Sequence, residues 1–507
     1  MKKYCLNIIT LIIIGSVSLS GCSAAFFGLP GLFYETAESL SEMDLSESID
    51  LEYDYSQSDI WSWPDTDDYT PTFDPDEEYT YETPEGAIDG SVTVFVYMNG
   101  STLETEAGCA TRDIKEMLEA GYSENVNVLI QTMGTKYWSK SLGIASDRSQ
   151  TYIIGEDGLE LIRDNLGQLD CTREETLREF IEFGTKEYPA ARNILLFWDH
   201  GGGPAYGFGW DEFQPEYEFL GIDKIVGAIK QNNMHFDFIG MDCCIMSCLE
   251  IAYALRDCCD YSVLSEDFES ELGWYYTDWM SALYKEPSIS TYELSEIIID
   301  DMIRTNEEDH LKGDRSILAL IDESRVDDLW KAWLDFAYDN QDALLSTNFS
   351  QEMEGTGKGR DLSKRFKAGA LLNYLLAGDD DEESEYYDYL YDYCVTDLMG
   401  LAQIIDSDTS QALIDAVKNV LLYVNATEDD QSLTGISVTL PYGDYDLYGD
   451  LKRMLKNCGF GSDYIEWLKG FCSAETGERY NWGSWGDDFW GDWGNFEMPD
   501  YMGEWDF

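Results

Sequence analysis

Three cysteines fall within six positions in "DCCIMSC", residues 242–248, directly after the apolar run "FDFIGM". Such a cluster can ligate a metal, pair as a disulfide, supply a nucleophile or fill a core. A second loaded stretch comes earlier, where "NILLFWDHGGG" ends an apolar run in His200 and three glycines. The chain has only three histidines. His235 precedes its strand and His310 sits in the polar "EEDHLKGD", so His200 alone stands where an apolar strand gives way to glycine. Glycines there let a substrate backbone approach closely. A thiol beside an imidazole is the combination of a nucleophile with its general base.

The position of each cysteine separates the possibilities. Cys244 stands where the strand passes toward the "SCLEIAYAL" helix, whose N-terminal dipole is expected to favour a thiolate. Cys243, one residue earlier, should point to the opposite side of the sheet. Cys248 is expected a full turn into the helix, as a small buried residue. Asp242 and Cys244 are two apart and so should share one cleft. A carboxylate there would raise the thiol pKa unless a cation engages it, which makes Asp242 a candidate selectivity group for a substrate Arg or Lys. Cys243, Cys244, Cys248, Cys258, Cys259 and His200 could instead bind zinc, but they lack the Cys-x-x-Cys pairing usual in such sites.

The elements that must hold these residues alternate. Apolar runs "SVTVFVYM", "NVNVLIQTMG", "SQTYIIG", "NILLFW", "FDFIGMD" and "YSVLSED" read as strands. Between them "CATRDIKEMLEAGY", "REETLREFIEFGTKEYP", "GIDKIVGAIKQNNM" and "SCLEIAYALRDC" read as helices. Strands apolar on both faces, taking turns with helices, predict an α/β fold with a mostly parallel sheet covered on both sides. Such sheets bind ligands at the carboxyl ends of their strands, where His200 and Cys244 both fall. Beyond residue 288 helical patterns dominate, interrupted by the strand-like "RSILALIDES" and "TGISVTLPYG".

"TVFVYMNG", "WDHGGG", "FDFIGMDCCIMS" and "LSEDFESELGW", in this order and spacing, resemble the clostripain family of cysteine peptidases, relatives of caspases, gingipains and legumain. The resemblance runs from residue 91 to about 475 and implies a caspase-like α/β/α sandwich with a helical C-terminal elaboration. It implies cleavage after Arg or Lys by a Cys/His dyad, with His200 as general base, Cys244 as nucleophile and Asp242 as the pocket floor. Backbone N–H groups of Gly201 and Cys244 would form the oxyanion site, and Ser265 and Glu266 would contribute to the pocket. Cys243 departs from the small residue usual there. Some members are activated by cleavage after a basic residue between the His and Cys strands, for which Lys224 and Lys230 are the candidates here. Calcium dependence occurs in the family, but the acidic runs do not place a calcium site.

The bulk numbers bound the rest. The chain has 507 residues and a formal charge of −68, from 32 Lys and Arg against 100 Asp and Glu. Such a polyanion repels nucleic acid and anionic lipid and attracts basic partners, while an aromatic content of 14% is too high for a disordered acidic polymer. Residues 1–21 read as a signal peptide, and "LSGC" resembles a bacterial lipobox, implying lipidation of Cys22 and a membrane-anchored protein at the bacterial surface. Residues 22–90 read as an acidic disordered tether, 91–287 as the catalytic core, 288–475 as the C-terminal part of the peptidase unit and 476–507 as an acidic Trp/Gly-rich tail. No Lys or Arg occurs from Tyr4 to Thr111 or after Arg479, as suits tethers of an enzyme that cuts after those residues. Ten cysteines remain after the signal and Cys22, and their bunching does not read as a disulfide scaffold. The alternative function is a non-catalytic acidic surface protein that captures cations or basic peptides.

Overall fold

The computed structural model describes residues 71–75, 79–214, 218–309, 316–345, 395–441 and 445–472. The signal peptide, Cys22, most of the acidic tether, His310 and the Trp/Gly-rich tail lie outside the described residues.

Because "SVTVFVYM" is apolar or β-branched throughout, both faces of its strand need cover. Strand β1 (Ile88–Asn99) sends Val92, Val94, Val96 and Met98 into one core layer and Phe95 and Tyr97 into the other. The remaining strands of the same sheet are β2 (Val126–Met133), β3 (Gln150–Gly155), β4 (Gly158–Arg163), β5 (Ala190–Trp198), β6 (Phe236–Asp242), β7 (Cys259–Ser265), β8 (Ile317–Asp322) and β9 (Leu421–Ala426). Their spatial order is β9-β8-β7-β6-β5-β1-β2-β3-β4. β2, β1, β5, β6 and β7 run parallel, and the flanking strands are antiparallel.

Helices fill both layers. In chain order they include α1 (Ser101–Ala107), α2 (Cys109–Glu119), α3 (Glu174–Glu187), α4 (Ile222–Gln231), α5 (Leu249–Leu255), α6 (Tyr276–Lys285), α7 (Thr291–Asp309) and α8 (Val326–Asp339). α2, α6 and α7 cover the Val92 face; α3, α4, α5 and α8 cover the Phe95 face, together with the helices beyond residue 395. The result is the expected α/β/α sandwich. Burying each large side chain in these layers is worth about 1.5–3 kcal/mol. No helix among the described residues is long and apolar enough to cross a membrane.

Several local expectations change. "GLELIR", which the sequence pattern assigns to no element, forms the edge strand β4. "DTSQALIDAVKNVLLYV", one of the helical patterns beyond residue 288, stays helical only to Val420, and its "LLYV" pairs with β8 as part of β9. Within residues 288–475, β8 and β9 complete the central sheet. α5 begins at Leu249, with Cys248 as its N-cap residue, two residues later than the sequence pattern placed it. The tether also ends before residue 90. Tyr79 donates its hydroxyl to the Met234 carbonyl at 2.6 Å, and the Tyr81 ring stacks on His235 at 4.2 Å. Favourable packing against the body thus reaches back to Thr72, which bonds Glu174.

Close packing between α3 and β1 depends on Gly184, where an added Cβ would lie 2.2 Å from Phe95 Cε1 and 2.9 Å from Leu129 Cδ1. Helix propensity alone would make Gly184→Ala stabilising by about 1 kcal/mol. Overpacking should win, lowering stability by roughly 1–3 kcal/mol. A urea titration should show a lower midpoint with an unchanged slope; a raised midpoint would refute the packing argument.

Candidate active site

Strand register brings the two loaded motifs together. β5 and β6 are paired in parallel with Trp198 opposite Asp242. Continuing both chains by two residues sets His200 level with Cys244, at the carboxyl edge of the sheet beside the point where strand order reverses around β1. The backbones then touch. A Cβ on Gly201 would fall 1.9 Å from the Cys244 carbonyl oxygen and 2.9 Å from its N, so only glycine permits this approach.

His200 is held through its ring and through its main chain. His200 Nε2 lies 3.1 Å from the Thr102 hydroxyl of α1, and the His200 carbonyl accepts from the Gly209 N–H at 2.9 Å. Buried Asp199 staples the end of β1 to the loop after His200. It accepts from Asn99, from the Ser101 hydroxyl and from the Trp210 N–H. Burial pushes the His200 pKa down to about 4, so the ring is neutral near pH 7.

The cysteine loop, residues 243–248, is bent sharply. Ile245, β-branched and fully buried, has φ of +62°, a region such residues rarely occupy. Three bonds hold the bend: Ile245 N–H to Asp267 O at 3.0 Å, Ser247 N–H to Ser265 O at 2.7 Å, and Ser437 N–H to Ser247 O at 2.9 Å. Cys243 and Cys248 are buried in the apolar core, whereas Cys244 is partly exposed. Alternation thus separates Cys243 from Cys244 as the sequence predicts.

One expectation fails. Cys244 lies five residues before α5, and the helix dipole acts within about a turn of the helix end, so it does not act on this thiol. Burial, followed by the charge of Glu269, instead holds the thiol pKa above its ordinary value. The Glu269 N–H donates to Cys244 Sγ at 3.3 Å and only partly offsets this. The resting pair is therefore thiol and neutral imidazole.

Asp242 is buried at the end of β6. Its Oδ1 accepts from the Trp274 N–H at 3.2 Å and its Oδ2 from the Tyr276 hydroxyl at 2.7 Å. Burial pushes its pKa up to about 6, against the opposing Tyr276 bond. Asp113, Glu116 and Glu269 lie in the same acidic neighbourhood, where Arg112 supplies positive charge. Arg112 Nε pairs with Asp113 at 3.0 Å, and its Nη2 donates to the Glu271 and Leu272 carbonyls, pinning the loop after β7 to α2.

Ser265 and Glu266 are both buried at the end of β7. Ser265 donates to the Asp267 and Ile317 carbonyls, while Glu266 accepts from Gly435 N–H and the Ser437 hydroxyl. Glu266 thereby ties the 435–437 segment to the end of β7, and the Ser265 carbonyl accepts from Ser247 N–H of the cysteine loop. Lys224 and Lys230 both lie in α4, Lys224 donating to the Thr172 carbonyl and Lys230 pairing with Asp257 at 3.2 Å. Neither presents an extended bond to a peptidase. Thr102, Tyr276 and Glu269 went unmarked by sequence reading. Only Glu269 carried a signal there, as a member of "LSEDFESELGW".

Residues 96–448 match the model of the clostripain family. Among solved structures, a secreted C11 cysteine protease from Bacteroides thetaiotaomicron in complex with an irreversible peptide inhibitor superposes with a TM-score of 0.51 at 17% identity, covering 75% of this chain and 99% of the other. Another structure of a secreted C11 cysteine protease from that organism gives 0.50 at 15% identity, again with 75% and 99% covered. These similarities are of fold. The chain matches no curated protein sequence.

Two outcomes follow. Alkylation of Cys244 by a small neutral reagent should accelerate about tenfold per pH unit from pH 6 to 9, because thiolate forms only by direct ionisation of a thiol of raised pKa. A rate already flat across that range would show a resting thiolate–imidazolium pair instead. Gly201→Ala should lower kcat by roughly 100-fold, as displacement by an ångström does, and unfolding curves would show whether the loss is local.

Proposed function

The chain belongs to the clostripain family and is a cysteine peptidase, and from that premise we propose an extracytoplasmic, lipid-anchored endopeptidase that cleaves after Arg or Lys. In this reading the substrate's basic side chain enters beside Asp242, and its carbonyl oxygen is received by the N–H groups of Gly201 and Cys244. Cys244 Sγ attacks the carbonyl carbon as His200 takes the thiol proton. The tetrahedral adduct collapses to a thioester when His200 returns that proton to the departing amine. Water, deprotonated by His200, then attacks the thioester, releasing the new carboxyl terminus and the thiol.

The observation that carries this reading is the Gly201–Cys244 backbone contact, which supports an imidazole and a thiol sharing one cleft. The acidic setting of Asp242 supports the choice of a cationic side chain. A substrate cation would stabilise both the carboxylate and, by offsetting nearby negative charge, the thiolate. Lipidation of Cys22 rests on "LSGC" after a short apolar run, and the near-absence of Lys and Arg from the flanking segments suits a peptidase of this specificity.

Purified protein from residue 71 onward should cut a peptide library mainly after Arg and Lys. Cys244→Ala should lower the rate by four to six orders of magnitude, roughly as removal of other covalent nucleophiles does. Cuts mainly after acidic or apolar residues would overturn the role of Asp242; retained hydrolysis in Cys244→Ala would overturn the nucleophile.

A further inference from the structure

The chain that braces the cysteine loop carries two buried carboxyl groups that the scheme above does not use. Glu266 follows β7. Asp397 ends the short strand Val395–Asp397, which pairs antiparallel with Ser437–Thr439 so that Asp397 stands opposite Ser437. Both acids are 1% exposed. Consecutive backbone N–H groups divide between them: Thr434 N–H donates to Asp397 at 2.9 Å and Gly435 N–H to Glu266 at 2.6 Å. Asp397 also accepts from the Thr434 hydroxyl and from Gly400 N–H, capping helix Leu398–Ile405. Glu266 accepts from the Ser437 hydroxyl at 2.6 Å, and the two carboxyl groups bond each other.

The same segment reaches the nucleophile's loop. Gly435 O accepts from the Ser247 hydroxyl, Ser437 N–H donates to Ser247 O at 2.9 Å, and Ser437 bridges Cys248 in parallel register. Two carboxyl groups in contact away from water do not both ionise, because a carboxylate can only accept and like charges repel. One proton therefore sits between them. Asp397 accepts three bonds from its surroundings and Glu266 two, so the charge is better held on Asp397 and the proton on Glu266. Burial, and then the charge of Asp397, hold the Glu266 carboxyl well above the ordinary carboxylate range. Around Glu266 stand the buried Cys248 thiol, Glu250 of α5, which accepts from Thr439 N–H at 3.0 Å, and Asp267, the next residue of the chain. No Lys or Arg donates to either member of the pair among the described residues.

We propose that Glu266 and Asp397 act as one positioning unit for the cysteine loop. Glu266, holding the pair's single proton, donates a hydrogen bond to Asp397, and the bonded pair fixes residues 434–437 against Ser247. That contact sets where Cys244 and its N–H stand. The inference goes beyond the proposed specificity and rests on Cys244 being the nucleophile. It also carries a sign. Unfolded carboxyl groups release their protons near pH 4, whereas the native pair keeps one. The stability it confers is complete below that value and is lost as pH rises toward the pair's own, higher titration.

The test uses Glu266→Ala and Glu266→Gln, with hydrolysis of a peptide that wild type cleaves and urea unfolding at pH 6, 7 and 8. Glu266→Ala should lower kcat roughly 100-fold with little change in KM, as misplacement by an ångström does. Glu266→Gln should recover at least about tenfold of that loss, since its amide donates to Asp397 and accepts from Gly435 N–H. The unfolding constant of wild type, relative to that of Glu266→Gln, should rise about tenfold per pH unit, the signature of one extra native proton. Where Glu266→Ala does not fold, this comparison decides alone. A ratio flat with pH, a Gln variant no better than Ala or unable to fold, or a change in KM rather than kcat would overturn the assignment. The unfolding comparison involves no catalysis. Retained hydrolysis in Cys244→Ala would therefore remove the nucleophile and the positioning role while leaving the shared proton standing.

Discussion

One backbone contact governs this molecule. The carbonyl of Cys244 occupies the space where any residue but glycine at 201 would carry its Cβ. That contact exists because β5 and β6 are neighbours in parallel register, which in turn depends on continuous apolar runs that only a doubly covered sheet can bury. Chemistry that needs atoms placed within an ångström is thereby referred to two paired strands at the centre of the sheet. Asp199, Thr102 and the bend at Ile245 then orient side chains around a separation the sheet has already set.

Around that contact the electrostatics are arranged against a resting ion pair. Burial disfavours charge on His200 and on Cys244 alike, and the nearby carboxylates oppose the thiolate further. Arg112 is committed to Asp113 and to two loop carbonyls. What the free protein holds is thus a pair of neutral partners beside an excess of acid.

The C-terminal chain is part of this machinery rather than an attachment to it. Gly435 and Ser437 meet Glu266, Ser437 also meets Ser247, and β9 closes the edge of the sheet beyond β8. A cysteine loop containing a strained residue needs support on both sides. His200 and Gly201 lie against one side, and the 435–437 segment against the other.

Much of this arrangement is legible in the amino-acid sequence alone. The both-faces-apolar runs of β1, β5 and β6 read as buried parallel strands, because they are short, rich in β-branched and aromatic residues and alternate with helical patterns. The placement of His200 and Cys244 at strand ends then follows from counting residues, and alternation alone separates Cys243 from Cys244. Sequence reasoning fails where distant segments decide the outcome. "LLYV" has helical surroundings but finds an open strand edge in β8, and Ser265 and Glu266 sit beside a site motif, yet Glu266 is claimed by residues some 170 positions away. The thiol's resting charge is likewise undecidable from spacing, because it depends on where α5 begins and on burial. Glu269 is the clearest instance: spacing does not place it, and only the packed loop after β7 sets its carboxyl beside Asp242 and its N–H against the sulfur.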